Sequence, residues 1–72
     1  MDRKEAMAML KGLVDNDLVE PSYVSMVEAK PNYYQIQIKC DYNKAQIEAY
    51  AEKNGLKITE DNKRKYLVIF KP

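Results

Sequence analysis

The sequence lacks histidine and tryptophan, and Cys40 is the only cysteine among its 72 residues. Histidine is the usual proton carrier near neutral pH and the most frequent metal ligand in proteins. Its absence excludes catalytic systems in which a histidine activates a serine or cysteine nucleophile. A single cysteine excludes a disulfide within the chain and leaves a zinc site without the thiolates it would need. We therefore predict a protein that is not an enzyme and that holds no cofactor and no metal.

Glycines and long apolar runs are also scarce. Gly12 and Gly55 are the only glycines, so the chain has no glycine-rich phosphate loop. No apolar stretch approaches the ~20 residues that span a bilayer. Residues 1–5 mix acidic and basic side chains and lead into no secretory segment. Together with the single cysteine, these features predict a cytoplasmic protein that does not bind membranes.

The composition is typical of a small folded domain. Apolar residues make up 46% of the chain and charged residues 32%, with a net charge of +1. We expect one domain, residues 1–72, with a small core, because domains this short bury only about 60% of the surface of the unfolded chain. The charges are unevenly distributed: residues 1–52 carry 6 basic and 9 acidic side chains, and residues 53–72 carry 6 and 2.

Two segments have the pattern of amphipathic helices. The first spans residues 2–14, where Asp2 and Glu5 have the spacing of a capping box. Its apolar residues recur at helical spacing on one face: Ala6, Met9, Leu10, Leu13 and Val14. The second spans residues 44–54, with Asp41 or Asn43 as its N-cap and Gly55 directly after its end.

Four segments are predicted to be strands: residues 18–29, 33–40, 56–60 and 65–71. The second strand has the clearest pattern, because apolar side chains alternate strictly with polar ones. Its buried face is predicted to hold Tyr34, Ile36, Ile38 and Cys40. Its exposed face is predicted to hold Tyr33, Gln35, Gln37 and Lys39. In the last strand we assign Tyr66, Val68 and Phe70 to the buried face, which leaves Leu67 and Ile69 on the exposed one.

The resulting element order, αββαββ, predicts an α+β fold. The expected architecture is a two-layer α/β sandwich, in which both helices cover one face of a four-stranded, mostly antiparallel sheet. The pattern E-A-x-A-x-x-x-G-L occurs at residues 5–13 and again at residues 48–56. This repetition is consistent with an internal duplication of an αββ unit.

In size and in this order of elements, the chain resembles small uncharacterised orphan proteins of archaea that form two-layer α/β sandwiches. The resemblance lies in the architecture and involves no shared sequence motif. It implies a stand-alone domain, and it supplies no functional residues to carry over.

The uncovered sheet face is the predicted site, and it has two functional interpretations besides that of an ordinary solvated surface. In the first, it binds a protein partner or a second copy of the chain, because Leu67 and Ile69 would otherwise expose apolar surface. The contact residues are then Tyr33, Gln35, Gln37, Leu67 and Ile69. In the second, the face binds nucleic acid weakly, with a tyrosine that stacks on bases and cations that contact phosphates. That interpretation uses Tyr33, Lys39, Lys57, Lys63, Arg64, Lys65 and Lys71. The basic residues of the last hairpin fit a sheet edge protected by charge better than a phosphate contact, because three charges give little non-specific affinity at physiological salt.

Two other groups of residues have patterns of lower specificity. We interpret Cys40 as a small core residue rather than a nucleophile, because the sequence places no base beside it. Asp15, Asp17 and Glu20 bring three carboxylates close together, but their spacing is not that of a calcium-binding EF-hand loop. We interpret them as a solvated turn.

Overall fold

The computed structural model describes residues 1–39 and 42–72. These form α1 (Arg3–Asp15), a 3₁₀ turn (Pro21–Tyr23), β1 (Val24–Lys30), β2 (Tyr33–Lys39), α2 (Lys44–Lys53), β3 (Lys57–Asp61) and β4 (Tyr66–Phe70). The predicted αββαββ order is confirmed. The largest difference in bounds is at the first strand, which begins six residues later than predicted because Pro21 starts the 3₁₀ turn.

Side-chain caps determine where both helices begin. The Asp2 carboxylate accepts a hydrogen bond from the Glu5 amide at 2.7 Å, and the Glu5 carboxylate accepts one from the Asp2 amide at 3.4 Å. This is the predicted capping box, which satisfies two backbone donors that the helix itself leaves free. At α2, Asn43 is the N-cap and accepts from the Gln46 amide at 3.1 Å. Asp41, the other predicted cap, lies outside the described residues.

The four strands form one open sheet in the order β1-β2-β4-β3, and every neighbouring pair is antiparallel. The central pair, β2 and β4, places Ile36 opposite Ile69 and Ile38 opposite Leu67. Each αββ half of the chain therefore contributes one helix, one edge strand and one central strand. The strand order reads the same from either half, as in a two-fold arrangement.

The core lies between the sheet and the two helices. In α1, Ala6, Met9 and Leu13 are buried, and α1 packs against β1 and β2. In α2, Ile47 and Ala51 are buried, and α2 packs against β3. The sheet contributes Ile36, Ile38, Leu67 and Ile69, and the core is completed by Met1, Val19 and Leu56. The predicted two-layer α+β sandwich with helices on one face is thus confirmed.

The prediction for the faces of β4 was wrong. Leu67 and Ile69 are both 0% exposed and belong to the core, whereas Tyr66, Val68 and Phe70 lie on the opposite face. The strand is apolar at all five positions, so its alternation gives no sign of which face is buried. Pairing with β2 decides the matter, because residues opposite each other in an antiparallel pair project to the same side of the sheet.

The repeated sequence pattern does not follow the two-fold arrangement of the fold. Glu5 is the third residue of α1, whereas Glu48, its counterpart in the pattern, is the fifth residue of α2. A shift of two positions turns a helix by about 200°, so the two copies present different faces to the sheet. Accordingly Ala6 is buried while Ala49 is exposed. The pattern therefore does not mark equivalent positions in the two halves.

Cys40, which was predicted to end the buried face of the second strand, lies outside the described residues. In the parts of the chain that are described, no helix has the length and apolar character needed to cross a membrane.

Candidate functional site

The helices leave one side of the sheet uncovered, and we call this side the open face. On the two central strands it carries Gln37 opposite Val68 and Lys39 opposite Tyr66. The edge strands extend it on both sides, because side chains opposite each other share a face. The open face consists of Ser25, Val27, Lys30, Tyr33, Gln35, Gln37, Lys39, Lys57, Thr59, Asp61, Tyr66, Val68 and Phe70.

An apolar and largely aromatic strip runs along the middle of the open face. Tyr66, Val68 and Phe70 follow one another along β4, and all three are half-buried without forming part of the core. Tyr33 extends the strip at the start of β2, where its hydroxyl donates to the Lys71 carbonyl oxygen at 2.6 Å. That bond holds the Tyr33 side chain across the end of β4. The centre of the sheet therefore presents ring surfaces, flanked by the amides of β2.

The charges on the open face are mainly positive. Lys39 and Lys57 are exposed cations on its strands, and Asp61 is its one carboxylate among the described residues. The Asp61 carboxylate accepts hydrogen bonds from the backbone amides of Lys63 and Arg64, at 3.0 and 3.1 Å, so its charge is used in capping the turn that follows β3. Neither Lys39 nor Lys57 forms an ion pair shorter than 4.0 Å with a described residue, and nor does Lys30, which lies opposite Tyr33.

A cleft opens at the corner of the open face, beside the β3–β4 turn. It has a volume of about 480 Å³ and is lined by Gln37, Lys39, Arg64, Lys65 and Tyr66. We call it the basic cleft, because three of its five residues are cations and none is an acid. A second cleft lies on the other side of Tyr66, where Lys63 is accompanied by Glu60 and Asp61. An anion is therefore favoured on one side of Tyr66 and not on the other.

Most of the predicted site residues are brought together. Tyr33, Gln35 and Gln37 lie on the open face, as do Lys39 and Lys57. Arg64 and Lys65 line the basic cleft, which joins them to the same surface. Lys63 lies in the same turn but lines the second cleft, with acidic neighbours.

Three predicted site residues do not lie on this surface. Leu67 and Ile69 are buried beneath it and cannot reach a ligand. Lys71 follows them in the alternation of β4, and its amine lies 3.1 Å from Glu5 Oε2 on α1, so it belongs to the helix side. All three corrections have one cause, which is the reversed assignment of the two faces of β4.

The same reversal means that Tyr66, Val68 and Phe70 were not predicted as site residues. One signal in the sequence points to them. In β4 one face carries the aliphatic Leu67 and Ile69 and the other carries two rings, Tyr66 and Phe70, with Val68 between them, and the predicted buried face of β2 carries the aliphatic Ile36 and Ile38. Matching aliphatic side chains across the central strand pair would have placed the rings on the open face.

On the helix side, Tyr42, Lys44 and Glu60 form a connected polar group. The Tyr42 hydroxyl donates to Glu60 Oε2 at 2.5 Å, and the Lys44 amine lies 3.7 Å from Glu60 Oε1. The hydrogen bond to Glu60, burial and the nearby negative charge together raise the pKa of Tyr42 to about 12. The group ties the segment before α2 to β3, and a phenol with so high a pKa stays protonated near neutral pH.

No metal centre emerges from the described residues: residues 1–39 and 42–72 hold no group of three histidine, cysteine or acidic side chains arranged to bind an ion. Asp15, Asp17 and Glu20, the three carboxylates noted in the sequence, are all exposed.

Comparison of the chain with protein-family models, with curated proteins and with solved structures finds no match. The resemblance to small archaeal orphan proteins therefore stays a prediction. The case for a function rests on the geometry and charge of the open face.

Proposed function

We propose that this chain is a non-enzymatic binding module that holds single-stranded nucleic acid on its open face. The observation that carries the proposal is the combination, on one uncovered surface, of an aromatic strip and cations without acidic partners. Nucleobases have flat faces that stack on aromatic rings whatever their sequence, while the phosphates between them require positive charge.

Each part of the open face has a role in this proposal. Tyr66 and Phe70 provide ring surfaces for bases, and stacking on one ring contributes about 1–3 kcal/mol. The amides of Gln35 and Gln37 lie next to the rings and can both donate to and accept from base edges. Lys39 and Lys57 flank the strip on neighbouring strands, where they can follow a phosphate backbone.

The dimensions of the strip limit the length of ligand it can hold. Tyr66 and Phe70 are four strand residues apart, which corresponds to about 13 Å. Two or three unstacked bases fit on a strip of that length, as they do on other small open sheets. With about four cations available, we expect modest, sequence-tolerant affinity in the micromolar range or weaker.

The test is a titration of short fluorescently labelled single-stranded DNA and RNA, followed by anisotropy over a range of salt concentrations. About four phosphate contacts predict an affinity loss of roughly 50-fold for a fourfold rise in salt. The double variant Lys39→Gln/Lys57→Gln should reduce both the affinity and the salt slope. Its matched control is Lys11→Gln/Lys53→Gln, which makes the same charge change on the exposed surface of the helices.

Two results would contradict the proposal. One is the absence of binding to either nucleic acid at low salt by a protein that melts cooperatively. The other is an equal loss of affinity in the two double variants, which would indicate attraction to overall charge rather than binding at the open face. Thermal melting of each variant shows that the fold is retained.

We propose self-association through the open face as a second candidate, favoured by the position of Val68 between two rings at the centre of the sheet. A second copy stacked face to face would cover the same apolar strip. Val68→Lys should then turn a dimer into a monomer in analytical ultracentrifugation. A protein that is monomeric at high concentration excludes this candidate.

A further inference from the structure

We propose that the basic cleft binds the terminal phosphate monoester of the nucleic acid, so that the open face holds the end of a strand rather than an internal segment. This inference rests on the proposed function and names the ligand group that one part of the site recognises.

The first observation is the charge of the cleft relative to the charge of its ligand. Lys39, Arg64 and Lys65 all line one cleft of about 480 Å³, and no carboxylate lines it. An internal phosphodiester carries one negative charge, whereas a terminal monoester carries about 1.5 to 2 at neutral pH and offers three acceptor oxygens. Three cations that line one cleft match the terminal group better than they match a diester, and the fork of an arginine suits its oxygens.

The second observation is the position of the cleft. Lys39 is the last residue of β2 and lies opposite Tyr66, the first residue of β4, while Arg64 and Lys65 precede Tyr66 in the chain. The cleft therefore lies at the Tyr66 end of the aromatic strip, on its β2 side. Bases stacked from Phe70 towards Tyr66 would lead the backbone into the cleft. The group that arrives there is the one that follows the last stacked base.

The third observation is the backbone conformation of Lys65. Its φ is 56°, which lies in the left-handed region. Among the described non-glycine residues, Asn32 and Asp17 are the other two that have a positive φ. Asparagine and aspartate tolerate this region because their short side chains bond locally, but lysine has no such compensation. A strained residue whose charged side chain lines a cleft is typical of a functional position.

The experiment compares three versions of one short oligonucleotide: with a 5′-phosphate, with a 3′-phosphate and with hydroxyl groups at both ends. Wild-type protein should bind one of the phosphorylated versions about five- to tenfold more tightly than the hydroxyl version. Lys65→Asn should abolish that preference, so that this variant binds the three versions equally, and each more weakly than wild type binds the hydroxyl version. Asparagine is accepted at positive φ, so this variant should retain the fold.

Lys63→Asn is the matched control, because it removes the same charge from the same turn but from the second cleft. It should keep the preference for the phosphorylated end. If wild-type protein binds all three oligonucleotides equally, the inference is wrong and the proposed function stands. If Lys63→Asn abolishes the preference as Lys65→Asn does, the preference depends on the total charge of the turn and not on the basic cleft. The inference is then wrong as well.

A nucleoside monophosphate, titrated alone by NMR, distinguishes the two sources of the same phosphate group. Much weaker binding than that of the phosphorylated strand supports a strand end as the ligand. Binding as tight as the strand's identifies a free nucleotide as the ligand and overturns the assignment to a strand end. If no oligonucleotide binds at low salt, the proposed function and this inference both fail.

Discussion

Leu67 and Val68 are neighbours in the chain, yet they belong to opposite surfaces of the sheet. The Leu67 side chain is completely buried opposite Ile38, whereas Val68 lies between two rings on the open face. Stability depends on the first residue and surface properties on the second. Similar apolar side chains thus have different roles, decided by the strand that pairs beside them.

We expect Leu67→Ala to lower the free energy of unfolding by about 2–5 kcal/mol, because it removes buried methyl groups and leaves a cavity. Val68→Ala should cost less than about 1 kcal/mol, since its side chain is not part of the core. Urea denaturation followed by circular dichroism measures both values. Equal costs for the two variants would mean that the faces of β4 are assigned incorrectly.

Tyr42 makes stability depend on pH at the alkaline end. Its pKa is raised to about 12 in the folded protein, against an ordinary value of 10.0. Between these values the folded state binds more protons than the unfolded state, so the contribution of Tyr42 is complete below pH 10 and is lost as pH rises towards 12. We expect the free energy of unfolding to fall over this interval.

Tyr42→Phe is the variant that isolates this effect. Loss of the hydrogen bond to the Glu60 carboxylate should lower stability at neutral pH by about 1–2 kcal/mol. The difference between wild type and variant should shrink as the pH rises from 10 to 12, and denaturant titrations at several pH values measure it. A difference that stays constant over that range would contradict the assigned pKa shift.

At the scale of elements, Gly12 explains how the two helices fit side by side over the sheet. A methyl group built on Gly12 would overlap the Tyr50 hydroxyl and crowd the ring carbon that bears it. Glycine within a helix costs about 1 kcal/mol relative to alanine, so its presence in α1 needs a compensating reason. The space it leaves for Tyr50 of α2 is that reason.

We therefore expect Gly12→Ala to destabilise the protein, although the same change stabilises most helices. In a Tyr50→Phe background, which lacks the overlapping hydroxyl, the cost should be smaller or reversed. Thermal denaturation of the two single variants and the double variant gives this coupling directly. Additive effects would show that α1 and α2 do not meet at this point.

The sequence predicts individual elements better than it predicts relations between them. The two N-caps and the alternation of β2 are local patterns, and the structure places α1, β2 and α2 within a residue or two of the predicted bounds. The faces of β4 depend on Ile36 and Ile38, more than 25 residues earlier, which no local pattern contains. Because the faces of β4 could not be assigned from local sequence, neither the aromatic strip nor the ion pair of Lys71 with Glu5 was predicted.

At the scale of the whole molecule, the sheet combines two αββ halves that meet at β2 and β4. Either half alone has one helix and a two-stranded hairpin, which is marginally stable at best in water. We expect fragments 1–41 and 42–72 to be unfolded separately and to recover native circular dichroism when mixed. A fragment that folds alone, or a mixture that stays unfolded, would contradict this prediction.

The central strand pair also has a consequence for how the chain folds. The β1–β2 and β3–β4 hairpins close over short loops, whereas Ile36 and Ile69 meet only after 33 residues of chain are brought together. Closing that larger loop has the greater entropic cost, and it must precede most of the core contacts that compensate for it. Joining β2 to β4 is therefore the step expected to limit the folding rate. The amide protons shared by these two strands should exchange with solvent only when the entire domain unfolds.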